Sequence, residues 1–500
     1  MDSVLRVLTV IWEFFVNNFL TQPAYFIGLM VVVGYILLKK PWYDVIAGFI
    51  KATIGFFILQ VGSGGLTSNF RPILVGLKGK FNLDAMVIDP YFGQNAVQAG
   101  MEEQFGKTFT DVMLLLLIAF IFNIVLVALK KWTKLRALFT TGHVQMQQAA
   151  TAFWLILFAL PVLKDSNLAI LIVMGLLLGL YWAVGSNLIV GQSQELTDGA
   201  GFTIAHQQMF GVGLFTWLSE KMSKKSKKKT TRLDDIKLPG WLKIFNENMV
   251  ATAVLMTIFF GIILMILGKP YLVEQEFLKA TDNFFFYIMT TSFHFGVYLA
   301  ILQLGVRTFV TELTNSFQGI SSRLLPGAVP GVDCAVAFGF GSQNAVTIGF
   351  LFGALGQFLA IIALVLLKSP TLVVAGFVPV FFDNAVIAVY ADNKGGAKAA
   401  MIFPFISGLC QVFGSAFIAA FVGLAQYGGY LGMWDWAVVW PVFTVVMKYL
   451  SYAGLALVVV ALIAIPQIQY RLKKDTYFLE TEDWEECKRV RAEQAAGTQE

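Results

Sequence analysis

Two histidines and an aspartate are the residues whose chemistry stands out in this chain of 500 residues. His143 and Gln147 are four positions apart, so on a helix both side chains lie on one face and can contact one ligand. His206 is followed directly by Gln207. A neutral imidazole and a carboxamide each offer a donor and an acceptor, which suits the hydroxyl groups of a small polyhydroxylated solute. The two segments are therefore predicted to bind such a solute.

Asp333 lies in a segment, residues 325–334, that proline and glycine interrupt, and a comparable segment at residues 87–95 contains Asp89. Backbone of this kind cannot face lipid, so it must be buried in protein or line a cavity. A carboxylate inside a membrane is costly and usually has a function. We therefore interpret Asp333 as functional. A functional or structural role stays open for four other acids: Asp89, Glu312, Asp383 and Asp392.

The sequence shows no pattern for metal, disulfide or catalytic chemistry. The two histidines have no carboxylate at close spacing in the chain, and glutamine is a poor transition-metal ligand, so a metal site is disfavoured. Cys334, Cys410 and Cys487 lack the spacing of a zinc site or a disulfide framework. A P-loop, a dinucleotide fingerprint and a nucleophile with a paired base are all missing. We expect no metal, no cofactor and no catalytic residues of the chain's own.

The composition places these polar residues inside a membrane. Hydrophobic residues make up 57% of the chain and charged residues 13%, against ~25% charged residues in ordinary soluble proteins. Eleven apolar stretches between Ala24 and Ile465 are long enough for spanning helices, which need ~20 residues. The predicted fold class is an all-α polytopic membrane protein. The net charge of +5 is concentrated in short segments, so it bears on orientation, and nucleic-acid binding is excluded.

A basic segment divides the chain nearly in half. Residues 219–243 contain nine Lys or Arg residues and three acids, which places them in the cytoplasm by the positive-inside rule. We divide the chain into a first membrane repeat (1–218), a basic cytoplasmic loop (219–248), a second membrane repeat (249–466) and a charged cytoplasmic tail (467–500). Five predicted spans precede the loop and six follow it, so the N-terminus is expected outside.

Short motifs recur in the two halves in the same order. Three pairs match at offsets of 243 to 249 residues: ILQVG at 58–62 with ILQLG at 301–305, LTSNF at 66–70 with LTNSF at 313–317, and QNAV at 94–97 with QNAV at 343–346. With the orientation above, the repeat is inverted. Inverted repeats bring broken, re-entrant segments together near the membrane midplane, which is how many transporters build a substrate site.

These residues alone indicate a transporter of a small polar solute that works by alternating access. The main alternative is an ion-coupled secondary transporter, in which Asp333 would be a proton or cation site. A second alternative is a scaffold that transports nothing. The paired broken segments argue against a scaffold, because it gains nothing from irregular backbone at membrane depth.

Longer runs carry a resemblance to a known family. These runs are ILQVGSGGLTSNFRPIL, TTGHVQMQQA, ELTDGAGFTIAHQQ, KLPGWLKIFNEN, TELTNSFQGISSRLLPGAVPGVDCA and GFVPVFFDNA. Together they resemble the membrane-spanning IIC component of the ascorbate-specific phosphotransferase system. The similarity extends from about residue 1 to residue 466, and only the tail is not covered.

The resemblance implies a homodimer in the bacterial cytoplasmic (inner) membrane. Each protomer would have eleven spans, a core domain that holds L-ascorbate, and a V-shaped domain that makes the dimer contact. The core would shift as a rigid body, like an elevator. A separate cytoplasmic IIB protein, charged by IIA from phosphoenolpyruvate, would phosphorylate the solute, so the IIC chain would be a transport component and not an enzyme by itself.

The resemblance also implies a set of substrate contacts. Carried over position by position, they fall on seven residues: Pro90, Tyr91, His143, Gln147, His206, Gln207 and Asp333. The chain departs from the family pattern at Pro90, where a residue with a hydroxyl group is expected. Proline offers only its carbonyl as a hydrogen-bond acceptor, so a contact at this position would have to be made by the main chain.

Overall fold

The computed structural model describes residues 23–81, 84–225, 231–236, 239–246, 248–325 and 327–497, and within them the chain is mostly helical. Six helical segments of this described part are long and apolar enough to cross a membrane: Trp42–Gly62, Asp111–Ala128, Asn167–Thr197, Asn344–Leu366, Pro379–Phe421 and Trp434–Leu472. The predicted polytopic membrane class agrees with this finding. The predicted number of eleven spans is not confirmed by it.

The described part of the first half starts with two helices and then alternates helices with short strands. Its elements, in chain order, are α1 (Pro23–Leu37), α2 (Trp42–Phe81), β1 (Asp84–Ile88), α3 (Pro90–Phe105), α4 (Phe109–Ala128), β2 (Ala137–Phe139), α5 (Gly142–Ala159), α6 (Asn167–Leu188), α7 (Val190–Thr197), β3 (Thr203–Ile204) and α8 (Met209–Lys225). A one-turn helix at Lys130–Thr133 and a 3₁₀ segment at Pro161–Asp165 join neighbouring elements.

The second half has a similar order of strands and helices, and the tail comes after it. Its elements are α9 (Asn248–Leu267), α10 (Phe284–Leu324), β4 (Val329–Val332), α11 (Gln343–Leu366), β5 (Thr371–Ala375), α12 (Asn384–Phe421), β6 (Gly429–Tyr430), α13 (Trp434–Leu472), α14 (Leu479–Glu482) and α15 (Trp484–Gly497). A short helix at Lys269–Glu274, a π-helical turn at Pro379–Asp383 and four 3₁₀ segments at Leu233–Asp235, Gly240–Asn246, Cys334–Gly339 and Ala425–Tyr427 complete it.

Among the described residues, two small parallel sheets interrupt the helices, a feature that the prediction of an all-α fold did not include. One sheet has the order β5-β1-β6 and the other β2-β4-β3. In each sheet the central strand comes from one half of the chain and both flanking strands come from the other half. Hydrophobic patterning does not reveal such strands, because their few residues are too short a stretch to show a period.

The helices pack in two groups that each draw on both halves. In the first group, α2 and α10 lie side by side, with α1 and α9 against them. These two long helices have 40 and 41 residues, or ~60 Å at 1.5 Å per residue, which is about twice the thickness of the hydrocarbon core. The second group contains α3 to α8, α11 to α15 and both sheets. The two groups meet where α10 touches α5 and where α2 leads into β1.

Glycine breaks one long helix where the sequence predicted two spans. The predicted stretch 401–424 falls largely within α12, and the stretch 372–390 runs from β5 through the π-helical turn into the start of α12, which contains a residue of non-helical conformation, Gly396. Its φ of 69° and ψ of −168° are accessible to glycine and strained for other residues. The element is therefore two helical segments joined at a kink.

The acids whose roles the sequence left open all have structural partners. Each accepts a hydrogen bond from a neighbour: Asp89 from the amide of Tyr91, Glu312 from the hydroxyl of Tyr35, Asp383 from the amide of Trp434, and Asp392 from the amide of Leu233. A carboxylate that accepts such bonds offsets part of the cost of its burial. The fold thus supplies at least one hydrogen-bond donor to each of these four acids.

The tail is docked on the second group of helices instead of extending from it. Glu480 on α14 forms an ion pair with Arg136, the residue before β2, with 2.9 Å between Nη1 and Oε2 and both side chains only 1% exposed. The Arg136 guanidinium also lies 3.6 Å from the ring centroid of Tyr477. On α15, Arg491 and Trp484 contact the acids at the end of α7. The sequence did not predict this docking, because charged residues without an apolar stripe usually indicate a solvated segment.

The Arg136–Glu480 pair makes docking dependent on pH. Burial alone would raise the pKa of Glu480, but Arg136 and then Lys473 and Arg491 hold that pKa below the ordinary glutamate value. A carboxyl group whose pKa is lowered by folding stabilises the folded state above its unfolded pKa. Docking of the tail is therefore favoured at neutral pH, and the stabilisation is lost in acid as the pH falls below the ordinary glutamate range and through the lowered pKa.

Replacing Glu480 with glutamine is expected to release the tail. The substitution leaves Arg136 as a buried cation without its counter-charge, which typically costs about 3–5 kcal/mol. We expect faster tryptic cleavage between residues 471 and 491 and a lower melting temperature of the purified protein in detergent.

Glu482→Gln is the matched control, two positions away on the same short helix. Glu482 pairs with Lys130 at 2.8 Å, but its side chain is 45% exposed, and exposed pairs contribute only ~0–1 kcal/mol. Equal cleavage rates for the two variants would contradict the structural importance of the buried pair.

Candidate functional site

The sheet β2-β4-β3 brings the three most notable residues of the sequence to one place. Its strands are parallel, with Phe139 opposite Gly331 and Ile204 opposite Val332. The chain continues from the carboxyl ends of these strands, and the carboxyl ends of parallel strands lie at one edge of a sheet. Three segments separated in sequence therefore meet at this edge, and the residues that they deliver are His143, His206 and Asp333.

The imidazole of His143 faces the carboxylate of Asp333. Nε2 of the histidine and Oδ2 of the aspartate are 3.5 Å apart. The other carboxylate oxygen, Oδ1, accepts a hydrogen bond of 2.9 Å from the amide of Ala335, so the aspartate caps the 3₁₀ segment that comes after it. The His143 side chain is 9% exposed and that of Asp333 is 35% exposed, so the pair lies at the edge of a buried region.

His206 lies beside this pair with its orientation fixed by a neighbour. The centroids of the two imidazole rings are 6.3 Å apart. Nδ1 of His206 is 2.7 Å from Oε1 of Gln208, and the same oxygen accepts a bond from the amide of Gln207. Since that oxygen can only accept, Nδ1 carries a proton, and the lone pair of the neutral ring is on Nε2.

The glutamines join the two histidine segments to each other. Nε2 of Gln207 donates to Oε1 of Gln147 at 2.7 Å, and Nε2 of Gln148 donates to the carbonyl of His206 at 3.0 Å. Oε1 of Gln148 accepts from the indole N–H of Trp182 at 2.6 Å. Both carboxamide contacts therefore hold α5 against the segment after β3.

Tyr91 brings the other sheet into the site. Its side chain is buried next to Gln147 and within electrostatic range of Asp333. Tyr91 follows Pro90, which opens α3, and Asp89, whose Oδ1 caps the helix by accepting from the Tyr91 amide at 3.0 Å. Proline is well suited to the first position of a helix, where its missing N–H leaves no bond unmade. The structure therefore draws Tyr91, Gln147 and Asp333 together.

Two residues of β4 explain how the broken segment fits between its neighbours. β3 pairs only with Gly331 and Val332, so Pro330, which has no N–H, lies beyond the end of that strand. A Cβ atom on Gly331 would lie 2.5 Å from Cβ of Ala205 and 3.0 Å from the carbonyl oxygen of Leu138. Glycine is required here because three strands approach too closely for a side chain.

The cluster offers hydrogen-bonding groups of both kinds. Nδ1 of His143, Nε2 of Gln147 and Oε1 of Gln207 are buried and have no hydrogen-bond partner among the described residues. Buried polar atoms are normally paired, and each unpaired one requires an explanation. Together with the carboxylate of Asp333, these atoms form a set of donors and acceptors suited to a small polar ligand with several hydroxyl groups.

The sequence pointed to the segments but not to every residue that matters in them. Gln208 orients His206, and Gln148 ties the two histidine segments together, yet neither was singled out. The signal was the glutamine pair that comes after each histidine, QQ at 147–148 and at 207–208. Gln147, Gln148 and Gln207 join α5 to the segment after β3, and Gln208 supports the ring of His206.

A set of apolar helices around a polar site lined by broken backbone defines a class of protein, the polytopic membrane permease. The family model described as the PTS system sugar-specific permease component matches residues 18–438. The chain therefore belongs to the family of sugar-specific permease components of the phosphotransferase system. It is a multi-pass protein of the bacterial cytoplasmic membrane.

A curated relative gives a more specific similarity. The chain is 33% identical over 437 residues to the ascorbate-specific PTS system EIIC component of Mycoplasma pneumoniae (strain ATCC 29342 / M129 / Subtype 1). The matched region covers 80% of this chain and 65% of the relative. The match thus spans slightly less than two thirds of the length of the relative.

Adding a methyl group at Gly331 is expected to disrupt the site. Gly331→Ala would push β3 or β2 away from β4, and overpacking of this kind typically costs about 1–3 kcal/mol. The measurement is the melting temperature of the purified protein in detergent, which should fall.

Gly339→Ala is the control, because a Cβ atom at Gly339 would meet no heavy atom within 4 Å. Its melting temperature should stay close to that of the unchanged protein. If the two alanine variants melted together, the close approach of the three strands would not be a constraint on the fold.

Proposed function

We propose that this protein is the IIC translocation component of a phosphoenolpyruvate-dependent phosphotransferase system and that its solute is L-ascorbate. The observation that carries the proposal is the convergence of His143, His206 and Asp333 from three strands on one cluster. Membership of the permease family supports the IIC role. The name of the Mycoplasma pneumoniae relative supports ascorbate as the solute.

The solute would be bound by hydrogen bonds at the edge of the sheet β2-β4-β3. Nε2 of His206 and the carboxylate of Asp333 can accept bonds from hydroxyl groups, and Nε2 of Gln147 can donate one. His143, Gln207 and Tyr91 would complete the set, with a main-chain contact at Pro90. Because the glutamines are already linked to each other, these groups are largely fixed before the solute arrives, which reduces the entropy lost on binding.

Movement of the solute would result from the arrangement of the two halves. We infer that the halves form an inverted repeat, because their motifs and strands recur in similar order and each half gives the other its central strand. The group containing α1, α2, α9 and α10 would be the V-shaped domain that makes a homodimer. The group containing both sheets would be the core, and it would carry the solute across the membrane in an elevator-like shift.

Phosphorylation would make the transport directional. Since the chain's family works within the phosphotransferase system, a separate IIB protein, charged by IIA, would transfer a phosphoryl group to a solute hydroxyl at the inner face. The hydroxyl proton would leave as the new phosphoester bond forms and the bond between phosphorus and IIB breaks. A charged product cannot return through an apolar passage at a useful rate.

One observation favours the alternative of an ion-coupled secondary transporter. Asp333 is 35% exposed and faces His143 at 3.5 Å, which is also an arrangement for taking up and releasing a proton. In that alternative Asp333 would couple transport to an ion gradient. The two mechanisms differ in what drives accumulation, so transport measurements distinguish them.

Removing the imidazole of His206 is expected to weaken ascorbate binding. His206→Ala deletes a buried acceptor whose partner on the solute would then be unpaired, which typically costs about 1–3 kcal/mol, or roughly 5- to 150-fold in affinity. The measurement is equilibrium binding of labelled ascorbate to purified protein. His294→Ala is the control, because His294 is exposed on α10. Unchanged binding in the His206 variant would count against the assignment of the site.

Uptake into vesicles is expected to depend on the phosphotransferase proteins. Vesicles that contain this protein should be supplied with phosphoenolpyruvate, IIA, IIB and the general phosphotransferase proteins. They should then accumulate labelled ascorbate as its phosphate. An uncoupler should have little effect on this accumulation. Asp333→Asn should chiefly weaken binding of the solute. If an uncoupler abolished accumulation, and if accumulation did not require phosphoenolpyruvate or IIB, the ion-coupled alternative would be established. In that case transport by the Asp333→Asn variant should no longer depend on the ion gradient.

A further inference from the structure

We propose that His143, His206 and Asp333 also bind a divalent transition-metal ion such as Zn²⁺, and that the bound ion excludes the solute. The metal site stands on the geometry of the three side chains. Its consequence, inhibition, rests on the proposed function. The two parts can be tested separately, because metal binding is measured without the solute.

The fold brings a carboxylate to the two histidines that their spacing in the chain does not show. Along the chain, no acidic residue accompanies the two histidines at close spacing, which disfavoured a metal. In the structure, Asp333 arrives from the other half and faces His143. Two imidazoles and one carboxylate are a known ligand set for zinc and for non-haem Fe(II).

The separations between the donor atoms suit one ion. A nitrogen from each imidazole and an oxygen from the carboxylate all lie within 4.8 Å of one another. Zinc bonds to nitrogen and oxygen of 2.0–2.2 Å imply tetrahedral ligand atoms that are about 3.3 Å apart. The pair formed by His143 and Asp333, at 3.5 Å, is close to that value. The remaining donor, a nitrogen of His206, lies within 4.8 Å of the other two and would have to move closer to them when an ion binds.

Two of the three ligands are held by a second hydrogen bond, as metal ligands usually are. Nδ1 of His206 is bound to Oε1 of Gln208, so Nε2 is the nitrogen available to an ion. Oδ1 of Asp333 accepts from the Ala335 amide, so Oδ2 is the oxygen available to it. These contacts fix the orientation of both side chains before a metal arrives.

The ligand set predicts which ions bind and how they exchange. Three protein ligands leave the fourth position of a tetrahedral ion open, as in exchangeable sites and unlike closed structural ones. Mg²⁺ and Ca²⁺ prefer sites built from oxygen atoms, so they should not compete. Because the same lone pairs would accept the hydroxyl groups of the solute, an ion and the solute cannot occupy the site together.

Binding of Co²⁺ to purified, tag-free protein tests the proposal, with Zn²⁺ as competitor. The chain has three histidines, so a polyhistidine tag must be removed. We expect one Co²⁺ per chain with visible absorption bands of a four-coordinate ion, displaced by Zn²⁺ and not by Mg²⁺. His143→Gln, His206→Gln and Asp333→Asn should each weaken binding about tenfold or more, and His294→Gln should leave it unchanged.

Two further variants keep the test decisive if a ligand variant folds poorly. Gln208→Leu frees the ring of His206 without removing a ligand, and loss of such a supporting contact typically weakens metal binding by about 10- to 100-fold. Gln147→Leu should weaken ascorbate binding and leave Co²⁺ binding unchanged.

Each outcome bears on one of the two proposals. If the protein bound no Co²⁺, or if only the His294→Gln variant lost Co²⁺ binding, the proposed metal site would be wrong. The assignment of the solute would not be affected. Co²⁺ binding in protein that binds no ascorbate would support the metal site and overturn the proposed solute. Simultaneous binding of Zn²⁺ and ascorbate would refute the exclusion of one by the other.

Discussion

The rest of the structure depends on the requirement that buried backbone be hydrogen-bonded. Helices meet it within themselves, but the chain that leads into His143, His206 and Asp333 is strand and not helix. Pairing of β2, β4 and β3 satisfies them: the amide of Thr140 donates to the carbonyl of Gly331, and that of Ala205 donates to the carbonyl of Val332. Non-helical backbone can therefore lie deep in the protein. The residues of the candidate site come directly after these paired strands.

The exchange of central strands makes each half incomplete without the other. β4 of the second half is held between β2 and β3, and β1 of the first half is held between β5 and β6. The two sheets differ in the segments to which their strands lead. One delivers two histidines, while the other leads into the helix cap made by Asp89 and into the buried contact between Asp383 and Trp434. Similar topology thus positions the cluster of His143, His206 and Asp333 in one place, and Tyr91 with buried packing contacts in the other.

The sequence predicted the membrane class, the polar segments and the residues of the cluster, because membrane burial makes polar residues conspicuous. It did not predict the sheets, because strands as short as β3 have too few residues to show a period. It missed the pairing of Glu480 with Arg136, because two charges far apart in the chain carry no sign of their contact. The closeness of Asp333 to His143 was likewise set by strand order, which spacing in the chain does not encode.

The buried pair of Arg136 and Glu480 also has a consequence for the order of events during synthesis. The two residues are 344 positions apart, and at about 5–20 residues per second the ribosome needs about 17–70 s to add that length. Throughout this interval the arginine beside β2 lacks its counter-ion, and β4 has not yet emerged for most of it. The packing around β2 and His143 can thus be completed only near the end of translation.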